Sequence, residues 1–192
     1  QVEAWALQTG VHCLFCFPNP LGARALKGLG GWSQIAGIPT LECTRPTMQA
    51  EVRPPGSVIS VHRSPAETLW RFQQHPEYSY REWADQGSRL WTKNFTDPDT
   101  GRTVVDLVSV GGGEPTHPQV LRNALFQLSA EGATRFTAWA LPGSPDEHLL
   151  RAAGFQEGTQ HRALCVRWLS ADAESRYHGV PWAVAQADTE VF

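Results

Sequence analysis

One stretch, 104–169, constrains the fold of this chain more than any other part of the sequence. An apolar run at 104–110 is followed by three glycines and then by helical spacing of apolar residues from about 119 to 130. A second apolar run, a short helix and a third apolar run follow, at 135–141, 144–154 and 163–169. This alternation predicts a βαβαβ unit, and the glycine-rich first turn of such a unit is where many α/β proteins bind a phosphate.

Both helices of this stretch carry clear local signals. In the first helix, five apolar residues recur at helical spacing and predict one buried face: Val120, Leu121, Ala124, Leu125 and Leu128. The second helix begins at a capping box, Ser144-Pro145-Asp146-Glu147, and Gly154 stands where a C-terminal stop is expected. These signals predict an α/β protein whose helices pack on a sheet.

The strand at 103–110 is also predicted to pair with the strand before it. Residues 79–84 and 89–95 read as strands, and the turn at 96–101 joins the second of them to 103–110 as an antiparallel hairpin. Upstream, Ser64-Pro65-Ala66-Glu67 is another capping box and starts a helix that ends at His75-Pro76. The predicted sheet is therefore mixed, with an α+β character.

Composition narrows the classes of partner. With a net charge of −3 and a pI near 6.2, the chain has no basic surface suited to a phosphate backbone, so we do not expect nucleic-acid binding. No apolar run reaches the roughly 20 residues that a membrane span needs, and the start shows no signal-peptide pattern. We therefore expect a cytoplasmic protein without membrane association, whose partner is a small molecule or another protein.

The four cysteines are too few and too scattered for a disulfide framework, which is typical of a reducing compartment. Cys13 and Cys16 have the spacing of a metal or redox pair, but they lie in an apolar run, 11–17, that reads as a central parallel strand buried on both faces. Residues three apart in a strand point to opposite faces of the sheet. We interpret both as structural cysteines and expect no metal site.

A second strand–helix–strand order occurs near the N-terminus. There, strands at 11–17 and 38–44 enclose a helix at 21–29, and Gly31-Trp32 follows the helix as Gly154-Phe155 does in the later stretch. We interpret the chain as two copies of one module, the first lacking its front. Because residue 1 is Gln and falls inside a predicted helix, we expect this chain to be the C-terminal portion of a longer protein.

Breaker residues predict the domain boundaries. Paired prolines and a glycine at 51–56 continue neither helix nor strand, and we predict a linker there. The trailing part of a first module then occupies 1–50, and a second module occupies 57–170. The tail at 171–192 is predicted to dock on the body through Trp182.

This order of elements resembles that of the GNAT acetyltransferases. In that family an antiparallel hairpin leads through a phosphate-sized loop into a helix, a parallel strand, a short helix with a Gly-aromatic stop, and a final strand. Three local strings add to the resemblance: Trp70-Arg71-Phe72 before His75-Pro76 and Tyr78, Phe17-Pro18-Asn19 before a short helix, and the tail with Trp182 and Asp188. The resemblance covers most of the chain and is to the tandem type, in which a complete but degenerate module follows another.

The resemblance implies an acetyl-CoA-binding loop at the turn after 104–110. Gly111, Gly112 and Gly113 stand where GNAT proteins hold a pyrophosphate with backbone N–H groups. Glu114, two prolines and the lack of Arg or Lys depart from the family's loop. The alternative is a flexible turn that is a relic of such a loop.

Two further family positions are ambiguous. Asn19 matches a position that hydrogen-bonds near the cofactor arm, and an ordinary turn residue is its alternative. The tyrosine that the family often uses as a general acid corresponds to positions near Leu26 or Lys27 in the first copy and Leu150 in the second. Neither copy keeps it, so the sequence assigns no catalytic residue.

The densest polar and aromatic group is a candidate for a substrate cleft: Trp70, Arg71, His75, Tyr78 and Tyr80. In the alternative interpretation, Trp70 belongs to the core together with Phe72, Arg71 pairs with a carboxylate, and His75 only helps to end a helix.

The resemblance implies an acyltransferase that moves an acetyl group from acetyl-CoA to a small-molecule amine. Such catalysis needs a base to free the amine and backbone donors to hold the thioester oxygen. We expect this chain to supply part of the scaffold and a wall of the acceptor site. The alternative is a non-catalytic binding or dimerisation module on the same scaffold, in which a partner copy covers an exposed sheet edge as a homodimer.

Overall fold

The computed structural model describes residues 2–47, 58–85, 87–110 and 118–188. Its strands are β1 Cys13–Cys16, β2 Ser33–Cys43, β3 Ile59–Ser60, β4 Tyr80–Asp85, β5 Ser88–Thr96, β6 Thr103–Val110, β7 Arg135–Trp139, β8 Gln156–Trp168 and β9 Trp182–Ala183. Its α-helices are α1 Val2–Gln8, α2 Pro20–Leu29, α3 Pro65–Thr68, α4 Pro118–Ala130, α5 Pro145–Ala152 and α6 Ala171–Tyr177. A π-helical turn, Leu69–Gln73, continues α3, and a 3-10 turn, Gln186–Asp188, follows β9.

The strands confirm the predicted mixed sheet. Seven of them are hydrogen-bonded in the order β1-β8-β2-β7-β6-β5-β4, and β3 pairs in parallel with β9. The pairs β4–β5 and β5–β6 are antiparallel, as the hairpin signals predict. β6 and β7 are parallel with α4 between them in the chain, which confirms the βαβ unit.

The described residues cluster into two compact units, each discontinuous in sequence. Unit 1 is Gln1–Ile38 with Gln160–Val180, and unit 2 is Pro39–Thr159 with Pro181–Phe192. The predicted linker at 51–56 lies outside the described residues. The division into modules at 1–50 and 57–170 stays a prediction.

The strand–helix–strand order of the two predicted copies is present as the first βαβ segment (β1–α2–β2) and the second βαβ segment (β7–α5–β8). Each unit takes strands from both segments. Within unit 1, β1 pairs antiparallel with β8, and Cys16 lies opposite Cys165. Within unit 2, β7 pairs antiparallel with β2, and Cys43 lies opposite Phe136. The first strand of each segment therefore pairs with the last strand of the other segment.

Most of the buried apolar surface belongs to unit 2. The predicted face of α4 is buried there, together with residues of β6, β7 and α5 such as Val105, Phe136 and Leu150. Unit 1 buries fewer large side chains, among them Ile38, Leu164 and Val166. The second βαβ segment thus contributes its helix to a core, whereas α2 of the first has no buried residue.

The prediction that 11–17 forms a central parallel strand is wrong. β1 lies at the end of the strand order and pairs antiparallel, and its Phe15 is 37% exposed. A continuous apolar run is typical of a strand buried on both faces, but it does not specify which strands lie beside it. Cys13 and Cys16 are only partly buried, and burial raises the pKa of both thiols.

Candidate functional site

β6 extends beyond its pairing with β7. The two strands are in register from Val104 opposite Arg135 to Leu107 opposite Ala138. Beyond that point β6 continues to Val110, and in the residues that the structure describes it is paired there only with β5. The carboxyl end of a parallel strand pair is where α/β sheets most often bind ligands. The end of β6 beyond its pairing with β7 is the first element of the candidate site.

The tail covers the same part of β6. Ala187, in the 3-10 turn Gln186–Asp188, packs in one buried cluster with Val108 of β6, Trp91 of β5 and Phe72 of the π-helical turn. The Phe72 and Trp91 rings are stacked with their centroids 4.6 Å apart. The carboxyl half of β6 therefore lies under aromatic side chains and the 3-10 turn Gln186–Asp188.

Polar contacts hold the tail on β6. Asp106 of β6 lies opposite Thr137 of β7 and accepts a hydrogen bond from the Thr137 hydroxyl. The other oxygen of the Asp106 carboxylate accepts from the Gln186 side-chain amide at 3.4 Å. One carboxylate in the sheet thus connects the parallel strand pair with the tail.

Two arginines before and within the π-helical turn also bind the tail. The Arg63 guanidinium forms an ion pair with the Asp188 carboxylate, and the Arg71 guanidinium donates to the backbone oxygen of Ala187. Burial, together with the nearby positive charge of Arg71, lowers the pKa of Arg63 to about 10. Asp188 also accepts from the backbone N–H of Ala185 at 2.7 Å, so its carboxylate is held from both sides.

These residues enclose a cleft of about 240 Å³ in unit 2, which we name the Arg63 cleft. The residues that line it are Val61, His62, Arg63, Glu67, Trp70, Arg71, Ala187 and Asp188. Trp70 is 47% exposed and stands on the π-helical turn, a rare element that is frequent at functional sites. The cleft therefore offers two guanidinium groups, two carboxylates and one aromatic face.

Glu67 has a defined charge state in this cleft. Its backbone N–H binds the Ser64 hydroxyl at 3.2 Å, and its carboxylate accepts from the Ser64 backbone N–H at 2.7 Å, which completes the predicted capping box. Hydrogen bonding to Ser64 lowers the pKa of the Glu67 carboxyl. Glu67 is therefore ionised at neutral pH.

The structure separates the predicted cleft residues into two groups. Trp70 and Arg71 line the Arg63 cleft, whereas His75, Tyr78 and Tyr80 form an aromatic group beside β4. The His75 ring lies 5.0 Å from Tyr78 and 5.6 Å from Tyr80, centroid to centroid. Nδ1 of His75 accepts the backbone N–H groups of Glu77 and Tyr78, both at 3.1 Å. As substrate-contacting residues, all five stay predictions.

The other predicted positions lie elsewhere. Asn19 is the N-cap of α2, where its side-chain oxygen accepts from the Gly22 backbone N–H at 2.8 Å. Gly111, Gly112 and Gly113 lie outside the described residues, so the predicted acetyl-CoA loop stays a prediction. Leu150 is fully buried in the core of unit 2.

Sequence reasoning missed Asp146 as an unusual carboxyl. It stands in the first turn of α5, directly after β7, and is only 6% exposed. Burial raises its pKa to about 7. The capping box Ser144-Pro145-Asp146-Glu147 places Asp146 in the first turn of the helix, where an acidic side chain is normally solvated. The sequence carries no signal for its burial.

Within the described ranges, no three His, Cys, Asp or Glu side chains gather as a metal ion would require. None of the helices described there combines the length and apolar character needed to cross a bilayer.

Three features together define a GNAT-like fold. An antiparallel hairpin leads into the parallel pair β6–β7, β6 continues beyond the end of that pairing, and all these strands belong to a mixed seven-stranded sheet. Among solved structures the chain is similar to a GCN5-related N-acetyltransferase from Anabaena variabilis ATCC 29413, with a TM-score of 0.55 and 10% sequence identity. The match covers 90% of this chain and 50% of that one, so this chain spans about half the length of that protein. No family model and no curated protein matches the sequence. The likeness confirms the predicted fold.

Proposed function

We propose that this chain belongs to an acyl-CoA-dependent N-acyltransferase that transfers an acetyl group to a small-molecule amine. The observation that carries the proposal is that, within a GNAT-like fold, the described part of β6 continues beyond its pairing with β7, which ends at Leu107 opposite Ala138. The solved structure with that fold is described as an N-acetyltransferase. Within the described residues, 108–110 pair with β5 but not with β7, and this stretch is the part of the described chain that would hold acyl-CoA, which when bound supplies the activated thioester.

The Arg63 cleft is the proposed wall of the acceptor site. Glu67 is ionised and can pair with the ammonium of an incoming amine, and the exposed Trp70 ring offers a face for the same cation. Arg71 and Arg63 bring two guanidinium groups to the same lining, where Arg63 also pairs with the Asp188 carboxylate. The acceptor that fits this arrangement carries both an amine and an anionic group.

The proposal is tested with the full chain, acetyl-CoA and a panel of amines, by following the release of free CoA thiol. We expect turnover with zwitterionic amines, and we expect Glu67→Gln to raise the KM for the amine about tenfold with kcat little changed, because the pair with the ammonium is lost. Gln retains the capping box, so the helix start is preserved. Glu174→Gln, on exposed α6, is the matched control and should behave as wild type.

A second candidate function is favoured because the carboxyl half of β6 is buried. Val108 and Val110 are almost fully buried, and Ala187 packs on Val108. A non-catalytic binding module on the GNAT scaffold is consistent with this closed arrangement. Calorimetric titration separates the two: no heat with acetyl-CoA at high micromolar concentration, combined with amine binding in the Arg63 cleft, supports the binding module and rejects the enzyme.

A further inference from the structure

Unit 1 contains a cleft of its own, with a volume of about 400 Å³. Its polar lining comes from α2, the first half of β2 and the first half of β8: Arg24, Lys27, Gln34, His161 and Arg162. Prolines, alanines and a glycine form the rest of the wall, so the space between the basic side chains is not filled by bulky groups. We name this the basic cleft, and it shares no residue with the Arg63 cleft.

Unit 1, which contains the basic cleft, has a net charge opposite in sign to that of the whole chain. Residues 4–41 contain no Asp or Glu, and neither do residues 158–171. Unit 1 carries five Arg or Lys and three Asp or Glu, a net charge of +2, whereas the complete chain carries −3. In the described part of the chain, the residues that line the basic cleft include no carboxylate. The described lining therefore combines basic side chains with no acidic one.

Two of the basic side chains that line the cleft, Arg24 and Lys27, belong to helix α2. Arg24 and Lys27 are three residues apart on α2, so they lie on one face of the helix. α2 is fixed at its start by the Asn19 cap, and the backbone oxygen of Gly30 just after it accepts from the Arg167 guanidinium at 3.0 Å. Within the described ranges, neither Arg24 nor Lys27 forms an ion pair.

We propose that the basic cleft binds the diphosphate group of a small organic phosphate. Arg and Lys are the side chains that recognise phosphate oxygens through charge-assisted hydrogen bonds, and a lining without carboxylates excludes cations. The volume is that of a small-molecule site, and its apolar wall suits the organic part of such a ligand. The side chains are exposed, so the interaction weakens as salt is added.

The test is calorimetric titration of the full chain with inorganic pyrophosphate at low and at physiological ionic strength. We expect saturable binding of one pyrophosphate, weaker at the higher ionic strength. The Arg24→Gln/Lys27→Gln double variant should lose affinity about tenfold or more, because two charge-assisted donors are removed. The matched control is Arg102→Gln/Arg122→Gln, which removes two exposed charges from unit 2 and should bind as wild type.

Three outcomes overturn the proposal: no saturable heat with pyrophosphate, equal losses in both double variants, or binding of a single-stranded RNA oligomer without any binding of pyrophosphate. A nucleoside diphosphate and acetyl-CoA each carry a diphosphate, and competition of each with pyrophosphate identifies which source binds. The thiol-release assay of wild type tests acyl transfer separately, so failure of one proposal is distinguishable from failure of the other.

Discussion

Helix α5 of the second βαβ segment buries Asp146, Leu149 and Leu150, whereas helix α2, in the equivalent place of the first segment, buries nothing. Both helices have an N-cap side chain and a proline in the first turn, and a glycine with positive φ follows each. Equal local signals therefore lead to unequal burial. What differs is the surface against which each helix packs, and this surface comes from distant parts of the chain.

The unequal burial also indicates that the two segments have different roles. The second segment stabilises unit 2, because α5 packs in the same core as α4 and β7. The helix of the first segment has no buried residue, and its basic side chains line a cleft. The following predictions test this division, beginning with the largest effect.

Leu150→Ala is expected to lower the free energy of unfolding by about 3 kcal/mol, since it removes a fully buried side chain from a packed core. Leu26→Ala, at the corresponding place on α2, should cost less than about 1 kcal/mol, because Leu26 is only half-buried. Urea unfolding of both variants measures the difference. Equal losses would show that α2 contributes as much to stability as α5 does.

Asp146 predicts a dependence of stability on pH. Its pKa is raised from 3.8 to about 7, so the folded state binds a proton more strongly than the unfolded state does. The stabilising contribution is complete below about pH 4 and is lost as the pH rises through 7; its size is on the order of 4 kcal/mol. Asp146→Asn should remove this fall in the free energy of unfolding between pH 4 and 8. Asp172→Asn, at an exposed carboxylate in unit 1, should leave it unchanged.

The glycines after the two helices should differ in their tolerance of a side chain. Gly154 has φ +93°, and a Cβ there would lie 3.0 Å from the Thr47 hydroxyl oxygen and 3.4 Å from the Arg45 backbone oxygen. Gly31 has φ +71°, and its Cβ would meet the mobile end of the Arg167 side chain at 3.1 Å. We expect a loss of about 2 kcal/mol for Gly154→Ala and about 1 kcal/mol for Gly31→Ala, measured by urea unfolding. The reverse order would contradict the comparison.

The helix caps should show the smallest contrast. Ser144 is buried and accepts from the Glu147 backbone N–H at 3.2 Å, whereas Asn19 is exposed and accepts from Gly22 at 2.8 Å. Removing a cap costs about 1 kcal/mol, and the loss is larger where water cannot replace the bond. We expect the thermal midpoint to fall further for Ser144→Ala than for Asn19→Ala. Ser144→Thr and Asn19→Asp retain the acceptor and serve as controls.

Local chemistry predicted most of the elements. Capping boxes at Ser64 and Ser144, a glycine stop at Gly154 and the apolar face of α4 each act over a few residues, and the structure has a helix at each place. The predicted position of β1 in the sheet was wrong because the strands that lie beside a given strand come from segments far away in sequence. β8 lies between β1 and β2, and no local pattern encodes that order.

The candidate site was predicted in part for the same reason. Trp70 and Arg71 stood out as a dense polar and aromatic group, and they line the Arg63 cleft. Arg63 and Asp188 did not stand out as a pair, because 125 residues separate them and neither belongs to a spaced motif. Charge pairs of this kind become visible only when the tail is placed on the sheet.

The exchange of strands between the two segments has a consequence for synthesis of the protein. Cys16 in β1 lies opposite Cys165 in β8, so the ribosome adds 149 further residues before the partner of the first strand exists. Unit 1 is therefore completed only after residue 180 has been synthesised, and the closure of so long a loop slows folding. A cut anywhere between residues 47 and 58 would leave two fragments, neither holding a complete unit, which regain the fold only by associating with each other.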